Sequence, residues 1–105
     1  MSDVKVSVTF RHTEPTDALK RYVEEKVARI GKYFRRPLQA HVVLSVDSGE
    51  RQVAEVELHA SGTVIQGKEE TQDLYSAIDL VMDKVERQIT KLKEKTKLNP
   101  RRAKA

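Results

Sequence analysis

The sequence contains no cysteine and no tryptophan, and it has little proline, glycine or aromatic residue. Among its 105 residues are four glycines, three prolines and 5% aromatic residues. Without cysteine the chain cannot form a disulfide, a thiolate metal site or a cysteine nucleophile. With so few rings, an aromatic platform that stacks single-stranded nucleic acid on a sheet is not expected. Stability must therefore come from an ordinary apolar core.

Long apolar runs are also missing. No stretch could span a bilayer, and the N-terminal residues lack the apolar run of a signal peptide. We therefore expect a soluble, cytoplasmic protein without a membrane partner. A length of 105 residues with 38% hydrophobic residues predicts one compact domain, residues 1–98, followed by a short basic tail at 99–105 that we expect to be disordered.

Charge of one sign is not in large excess. Lysine and arginine number 20 against 16 aspartate and glutamate, which gives a net charge of +4. A mild excess of this size does not identify a partner, so the positions of the cations matter more than their number.

The hydrophobic periodicity alternates between that of strands and that of helices. A period of two from Val4 to Phe10 predicts a half-buried strand, and Thr16 is the expected N-cap of a helix that reaches Phe34. Three further strands are predicted near residues 38–47, 52–60 and 63–68, the last interrupted by Gly67. A second helix, capped by Asp73 or Thr71, follows and ends at Asn99-Pro100.

This order predicts an α+β fold, β-α-β-β-β-α. A right-handed crossover makes the first two strands parallel, and hairpins make the remaining pairs antiparallel. The result is a four-stranded mixed sheet with two roughly parallel helices on one face.

Both predicted helices carry a basic flank beside an apolar stripe. On the second helix, residues spaced three or four apart form the apolar stripe: Leu74, Ile78, Val81, Val85, Ile89 and Leu92. A parallel row of cations follows the same spacing: Lys84, Arg87, Lys91 and Lys95. The first helix places Lys26, Arg29 and Lys32 beside its own stripe. Because the helices are parallel, we expect one continuous basic surface across the helical layer, suited to a polyanion. The plainer interpretation, that these cations only face solvent and favour the helix dipoles, stays open.

Catalytic and metal-binding patterns are absent from the sequence. If the second hairpin is centred on Glu50, His41 and His59 lie opposite each other on the exposed sheet face, but no third ligand stands near them. The acidic residues Glu69, Glu70 and Asp73 are explained by capping of the second helix. There is no phosphate-binding loop and no nucleophile elbow. We expect neither an enzyme nor a cofactor or metal.

Three segments carry a resemblance to a known family. The sequence from Asp73 to Asp79, continuing from Asp83 to Leu92, resembles the ribosome hibernation promoting factor family, as do the helical run Thr16–Val23 and the strand Val42–Val46. The resemblance extends over residues 3–97.

This resemblance implies a protein that binds the small ribosomal subunit and 16S ribosomal RNA in the channel for messenger and transfer RNA, near the decoding region. Occupancy would block translation and protect idle 70S ribosomes in stationary phase and under stress. It implies RNA-binding cations at Lys26, Arg29, Lys32, Arg87 and Lys91. Lys84 and Lys95 are further candidates, predicted only from the row of cations along the second helix.

Long members of the family append a second domain, and nothing in this sequence is expected to form one. Protein Y members carry a C-terminal extension, whereas the tail here is short and basic, so the resemblance favours the short type. The resemblance then implies action together with a separate ribosome modulation factor on the same ribosomes. Off the ribosome we expect a monomer.

Two other functions remain open from the residues. A generic double-stranded RNA-binding domain also has helices on one sheet face, but it usually begins its final helix with lysines, where this chain is acidic. A protein-interaction module could instead dock the long helix onto an acidic partner.

Overall fold

The computed structural model describes residues 4–32, 38–47, 51–60 and 62–104, with side chains as far as residue 91. The described elements follow the predicted order: β1 (Val4–Arg11), α1 (Asp17–Gly31), β2 (Leu38–Asp47), β3 (Arg51–Ala60), β4 (Thr63–Thr71) and α2 (Leu74–Lys104). The α+β prediction is confirmed.

The four strands form one mixed sheet in the order β1-β2-β3-β4. β1 runs parallel to β2, with Val4 beside Leu38, and the β2–β3 and β3–β4 pairs are antiparallel. This is the topology expected from one crossover helix followed by two hairpins. Both helices pack on the same face of the sheet.

The core lies between that sheet face and the two helices. Alternate residues of the strands point into it, and each helix contributes one stripe. The sheet contributes mainly small and branched side chains: Ala40, Val42, Leu44, Ala54, Val56, Leu58, Ala60 and Ile65. α2 contributes residues at the predicted spacing: Leu74, Ala77, Ile78, Val81, Met82, Val85 and Ile89. Among the residues that the structure describes, no polar or charged residue is buried.

α1 begins where the sequence predicts. The Thr16 hydroxyl oxygen accepts a hydrogen bond from the backbone N–H of Leu19 at 3.1 Å, and Asp17 stands in the first turn. The described helix ends at Gly31 with Lys32 as its C-cap. The predicted continuation to Phe34 lies outside the described residues.

α2 is capped by Asp73, as predicted, and also by a side chain from the sheet. The Asp73 carboxylate accepts from the backbone N–H of Ser76 at 3.1 Å, while the amide oxygen of Gln52 on β3 accepts from Leu74 N–H at 2.9 Å. The prediction that Glu69 and Glu70 also cap this helix is wrong. Both belong to β4, because the ladder with β3 continues as far as the pair Gln52–Thr71.

The far end of α2 also differs from expectation. The helix continues to Lys104, past the predicted stop at Asn99-Pro100. The fixed φ of a proline is close to the helical value, so the backbone can continue through Pro100 at the loss of one hydrogen bond. A separate basic tail at 99–105 stays a prediction.

The β2–β3 hairpin is offset by two residues from the prediction. Asp47 pairs with Arg51, which centres the hairpin on Gly49 and places His41 opposite Glu57 and Gln39 opposite His59. An even shift keeps every side chain on its predicted face, because side chains alternate along a strand. The two histidine rings still meet edge to face, with centroids 6.5 Å apart. The turn residues 48–50 lie outside the described residues.

Gly67 explains why β4 is hard to predict. The residue weakens strand propensity, yet β4 runs through it and on to Thr71. A Cβ atom at this position would lie 3.1 Å from a methyl group of Val81 and 3.2 Å from one of Val85. Glycine is therefore present so that α2 can lie close against the strand.

We expect Gly67→Val to destabilise the protein by about 1–3 kcal/mol, because the added carbons would push α2 away from the sheet. Lys68→Val on the exposed face is the matched control and should change stability by less than about 0.5 kcal/mol. Urea unfolding followed by circular dichroism measures both. Equal stability of the two variants would contradict the close packing of α2 at Gly67.

Candidate nucleic-acid interface

The described cations of α2 form a row on the flank of the helix that faces β4. Lys84 pairs with Glu69 of β4, with 3.1 Å between Nζ and Oε2. Arg87 and Lys91 are exposed and, among the described residues, form no ion pair. The side chain of Lys95 lies outside the described residues. Two cations of the predicted row are therefore free to contact a partner.

Acidic side chains accompany this row. Arg87 and Lys91 share a surface depression of about 450 Å³ with Asp83, Glu86 and Thr90. On the opposite flank of α2, Asp79 faces α1. The basic flanks of the two helices are thus separated along the described part of α2, and the expected continuous basic surface is interrupted by carboxylates.

The carboxylate of Asp79 on α2 joins the two helices through two contacts with α1, and we call Tyr22, Lys26 and Asp79 the Asp79 clamp. The Tyr22 hydroxyl donates to Asp79 Oδ1 at 2.5 Å, and Lys26 Nζ lies 3.1 Å from the same oxygen. Lys26 Nζ also lies 5.2 Å from the centre of the Tyr22 ring, within the range of a cation–π contact. Tyr75 packs edge to face on Tyr22, with ring centroids 5.0 Å apart.

The contacts within the Asp79 clamp shift the pKa values of all three members. The hydrogen bond to Asp79 raises the pKa of Tyr22, since the neutral hydroxyl is the donor. The same carboxylate raises the pKa of Lys26. The hydrogen bond from Tyr22, followed by the contacts with Lys26, lowers the pKa of Asp79. At neutral pH the clamp therefore holds a neutral tyrosine, a lysine cation and an aspartate anion.

The other two predicted cations of this flank, Arg29 and Lys32, have no ion-pair partner among the described residues. Arg29 lies one turn after Lys26, and Lys32 is the C-cap residue. Both are exposed and, within the described ranges, take part in no ion pair. The structure thus divides the predicted cations into two groups. Lys26 and Lys84 are paired to carboxylates, whereas Arg29, Lys32, Arg87 and Lys91 have no carboxylate partner among the described residues.

The sequence interpretation overlooked Asp79 and Tyr75, although their spacing carried a signal. Tyr22 and Lys26 are four residues apart on α1, as are Tyr75 and Asp79 on α2. Two residues at this spacing share one helix flank. Two such flanks facing each other could have been proposed once the helices were taken to be adjacent.

The opposite face of the sheet carries the histidines. Glu57 accepts from Gln66 at 2.8 Å and lies 3.1 Å from His59 Nε2, and these two contacts lower the pKa of the Glu57 carboxyl. Over the part of the chain that the structure describes, no three histidine, cysteine or acidic residues are grouped to hold a metal ion. Neither helix has a described stretch both long and apolar enough to cross a membrane.

Comparison with known proteins identifies the family. Residues 6–97 match the family described as Sigma 54 modulation protein / S30EA ribosomal protein. The chain belongs to this family. Its members include ribosome hibernation promoting factors, which are non-enzymatic binding proteins, so the prediction of a ribosome-associated protein without catalytic activity is confirmed.

Individual relatives agree with this assignment. The ribosome hibernation promoting factor of Azotobacter vinelandii is 38% identical over 92 residues, which are 88% of this chain and 85% of that protein. The ribosome hibernation promotion factor of Lactococcus lactis subsp. cremoris is 37% identical over 102 residues, and the match spans 95% of this chain but 55% of that longer protein. The crystal structure of the Thermus thermophilus Protein Y N-terminal domain superposes with a TM-score of 0.78 at 36% identity, covering 86% of this chain and 98% of that one.

The Asp79 clamp predicts an unusual tyrosine titration. We expect Tyr22 to ionise above its ordinary pKa of 10.0 in an alkaline titration followed by ultraviolet absorbance. Its folded pKa is raised, so the stability that its hydrogen bond contributes is present below pH 10 and is lost as pH rises through the folded pKa. Asp79→Asn should move the Tyr22 transition downward, and Tyr22→Phe should remove it. A wild-type titration without a raised tyrosine would contradict the clamp.

Proposed function

We propose that this protein binds the small ribosomal subunit in the channel for messenger and transfer RNA, near the decoding region. The exposed cations of its two helices contact 16S ribosomal RNA there. Occupancy blocks translation and stabilises inactive 70S ribosomes. The observation that carries this proposal is the set of unpaired cations on two adjacent helices of a ribosome hibernation factor: Arg29, Lys32, Arg87 and Lys91.

The chemistry of these four side chains suits RNA phosphates. Each is exposed and lacks an ion pair within the described ranges, so a phosphate would not have to displace a protein carboxylate. An arginine can hold two phosphate oxygens at once, and a lysine provides a mobile point charge. Such contacts position a protein on folded RNA without reading its bases.

The start of α2 is a poor site for a phosphate. A free helix N-terminus attracts anions, but here the Asp73 carboxylate and the Gln52 amide oxygen already occupy the first N–H groups. This supports contacts through side chains further along the helices. It also argues against a double-stranded RNA-binding domain of the type that uses lysines at the start of its final helix.

Co-sedimentation with purified 70S ribosomes tests the proposed location. We expect the protein to migrate with ribosomes through a sucrose gradient, and to be displaced when messenger RNA and initiator transfer RNA are added first. Both RNAs occupy the proposed channel, so competition follows from shared space. Co-migration that these RNAs leave unchanged would place the site elsewhere on the ribosome, and no co-migration at low salt would refute the proposal.

Charge reversal tests the site. Arg87→Glu/Lys91→Glu should weaken ribosome binding by at least about tenfold, because two phosphate contacts become repulsions. Both side chains are exposed, so the fold should be retained. The slope of log K against log salt should also become less steep by about one to two units.

Lys5→Glu/Arg11→Glu is the matched control. It also replaces one lysine and one arginine, and it too lowers the net charge from +4 to 0, since each change removes two units. Its residues are exposed on β1, on the face opposite the helices. The control should bind much better than the α2 variant. Equal losses in the two variants would indicate a general charge effect and would contradict the proposed site.

A further inference from the structure

We infer that Asp79 is a positioning residue for RNA binding: it holds Lys26 and fixes the flank of α1 against α2. This inference rests on the function proposed above and extends it to a carboxylate. An acidic side chain within a basic binding surface would ordinarily be expected to repel RNA. Here the geometry gives it the opposite role.

Among the described residues, the hydrogen bond and the ion pair of the Asp79 side chain are both directed at α1. Its Oδ1 atom receives the Tyr22 hydroxyl at 2.5 Å and lies 3.1 Å from Lys26 Nζ, so one oxygen joins two side chains on successive turns of α1. Lys26 is held from a second side by the Tyr22 ring. The lysine side chain is 27% exposed. It is therefore confined but still reachable from solvent.

The position of the clamp relates it to the free cations. Lys26 and Arg29 line one small surface depression together with Tyr22 and Glu25. Arg29 is one turn from the clamped lysine on the same flank of α1. Holding this flank of α1 against α2 therefore sets the distance between Arg29 on one helix and Arg87 on the other.

Preorganisation explains why this should matter for affinity. A lysine on a free four-carbon chain loses rotamer entropy when it binds a phosphate, and a lysine that is already confined loses less. The clamp also adds a directional contact between the flanks of the two helices, beyond the apolar packing that holds each helix on the sheet. Removal of Asp79 frees the lysine and loosens the spacing of the cations.

The sign of one mutational effect separates positioning from simple repulsion. Asp79→Asn removes a negative charge from the surface, so simple electrostatics predicts tighter ribosome binding. The positioning role predicts weaker binding, by about three- to tenfold. The measurement is co-sedimentation or fluorescence anisotropy with labelled protein and 70S ribosomes at one fixed salt concentration.

Asp83→Asn is the matched control. Asp83 is one turn further along α2 and exposed, and among the described residues it forms no hydrogen bond or ion pair with α1. The Asp83→Asn variant undergoes the same change of charge as Asp79→Asn. Its affinity for 70S ribosomes should equal that of wild type or be slightly higher. If wild type binds and the Asp79→Asn variant binds as tightly as the Asp83→Asn variant, the positioning role is overturned. Failure of wild type to bind would refute the proposed function instead.

A double-mutant cycle distinguishes positioning from a loss of folding. If Asp79 acts through Lys26, then Asp79→Asn should cost about three- to tenfold in the wild-type background and less than about twofold in a Lys26→Met background. Thermal unfolding of each variant gives the folded fraction at the assay temperature. Additive losses in binding would overturn the inference.

The Tyr22→Phe variant keeps the ring but removes the hydroxyl. It should lose less ribosome affinity than Asp79→Asn, and an unchanged affinity would show that the tyrosine has no part in positioning.

Discussion

Burial of a single sheet face under two helices is the constraint on which the rest of the structure depends. The opposite face is lined with polar side chains, so nearly all apolar burial has to come from the helix side. The sheet face that packs against the helices carries alanines at positions 40, 54 and 60 and a glycine at 67. Because these residues have small side chains or none, the helices can lie close to the strands. Each helix commits one stripe to this contact. Its remaining surface, where the described candidate RNA-binding cations stand, forms the outer layer of the molecule.

Apolar packing fixes each helix on the sheet, and Asp79 adds a directional contact between the two helices. The close-packed core sets their approximate spacing, and a carboxylate that accepts from Tyr22 and pairs with Lys26 adds one favoured position of the two flanks. The clamp lies between the helices at the edge of the core and involves side chains that are partly exposed. Its contribution to stability is expected to be modest because solvent screens it. Its effect on the distance between the surface cations of the two helices can be larger, since that distance depends on the direction of the contacts and not on their total energy.

Most of the fold follows from periodicity, and the errors arise where pairing between distant segments decides the outcome. The alternation in β1 and the three-four spacing in α2 are local, so both elements and their buried faces were predictable. The register of the β2–β3 hairpin depends on the turn, and the prediction was offset by two residues although the faces were right. Glu69 and Glu70 precede a helix in the sequence, which favours capping, but the ladder with β3 extends β4 through both. The pairing of Lys26 with Asp79 and of Lys84 with Glu69 joins separate elements, and composition cannot reveal it.

These pairings change what the net charge means for recognition. The sequence suggests rows of cations, and a row would attract any polyanion of suitable shape. In the structure one cation of each helix is neutralised by a carboxylate, and Asp83 and Glu86 stand beside Arg87 and Lys91. A uniform duplex laid across both helices would meet these acidic groups as well as the free cations, and the repulsion would offset part of the attraction. An RNA whose phosphates reach the cations of α1 and of α2 separately, without covering Asp83 and Glu86, avoids this repulsion. The mixed charge pattern therefore favours a folded RNA with spaced phosphates over a regular helix, which agrees with the ribosomal RNA target proposed above.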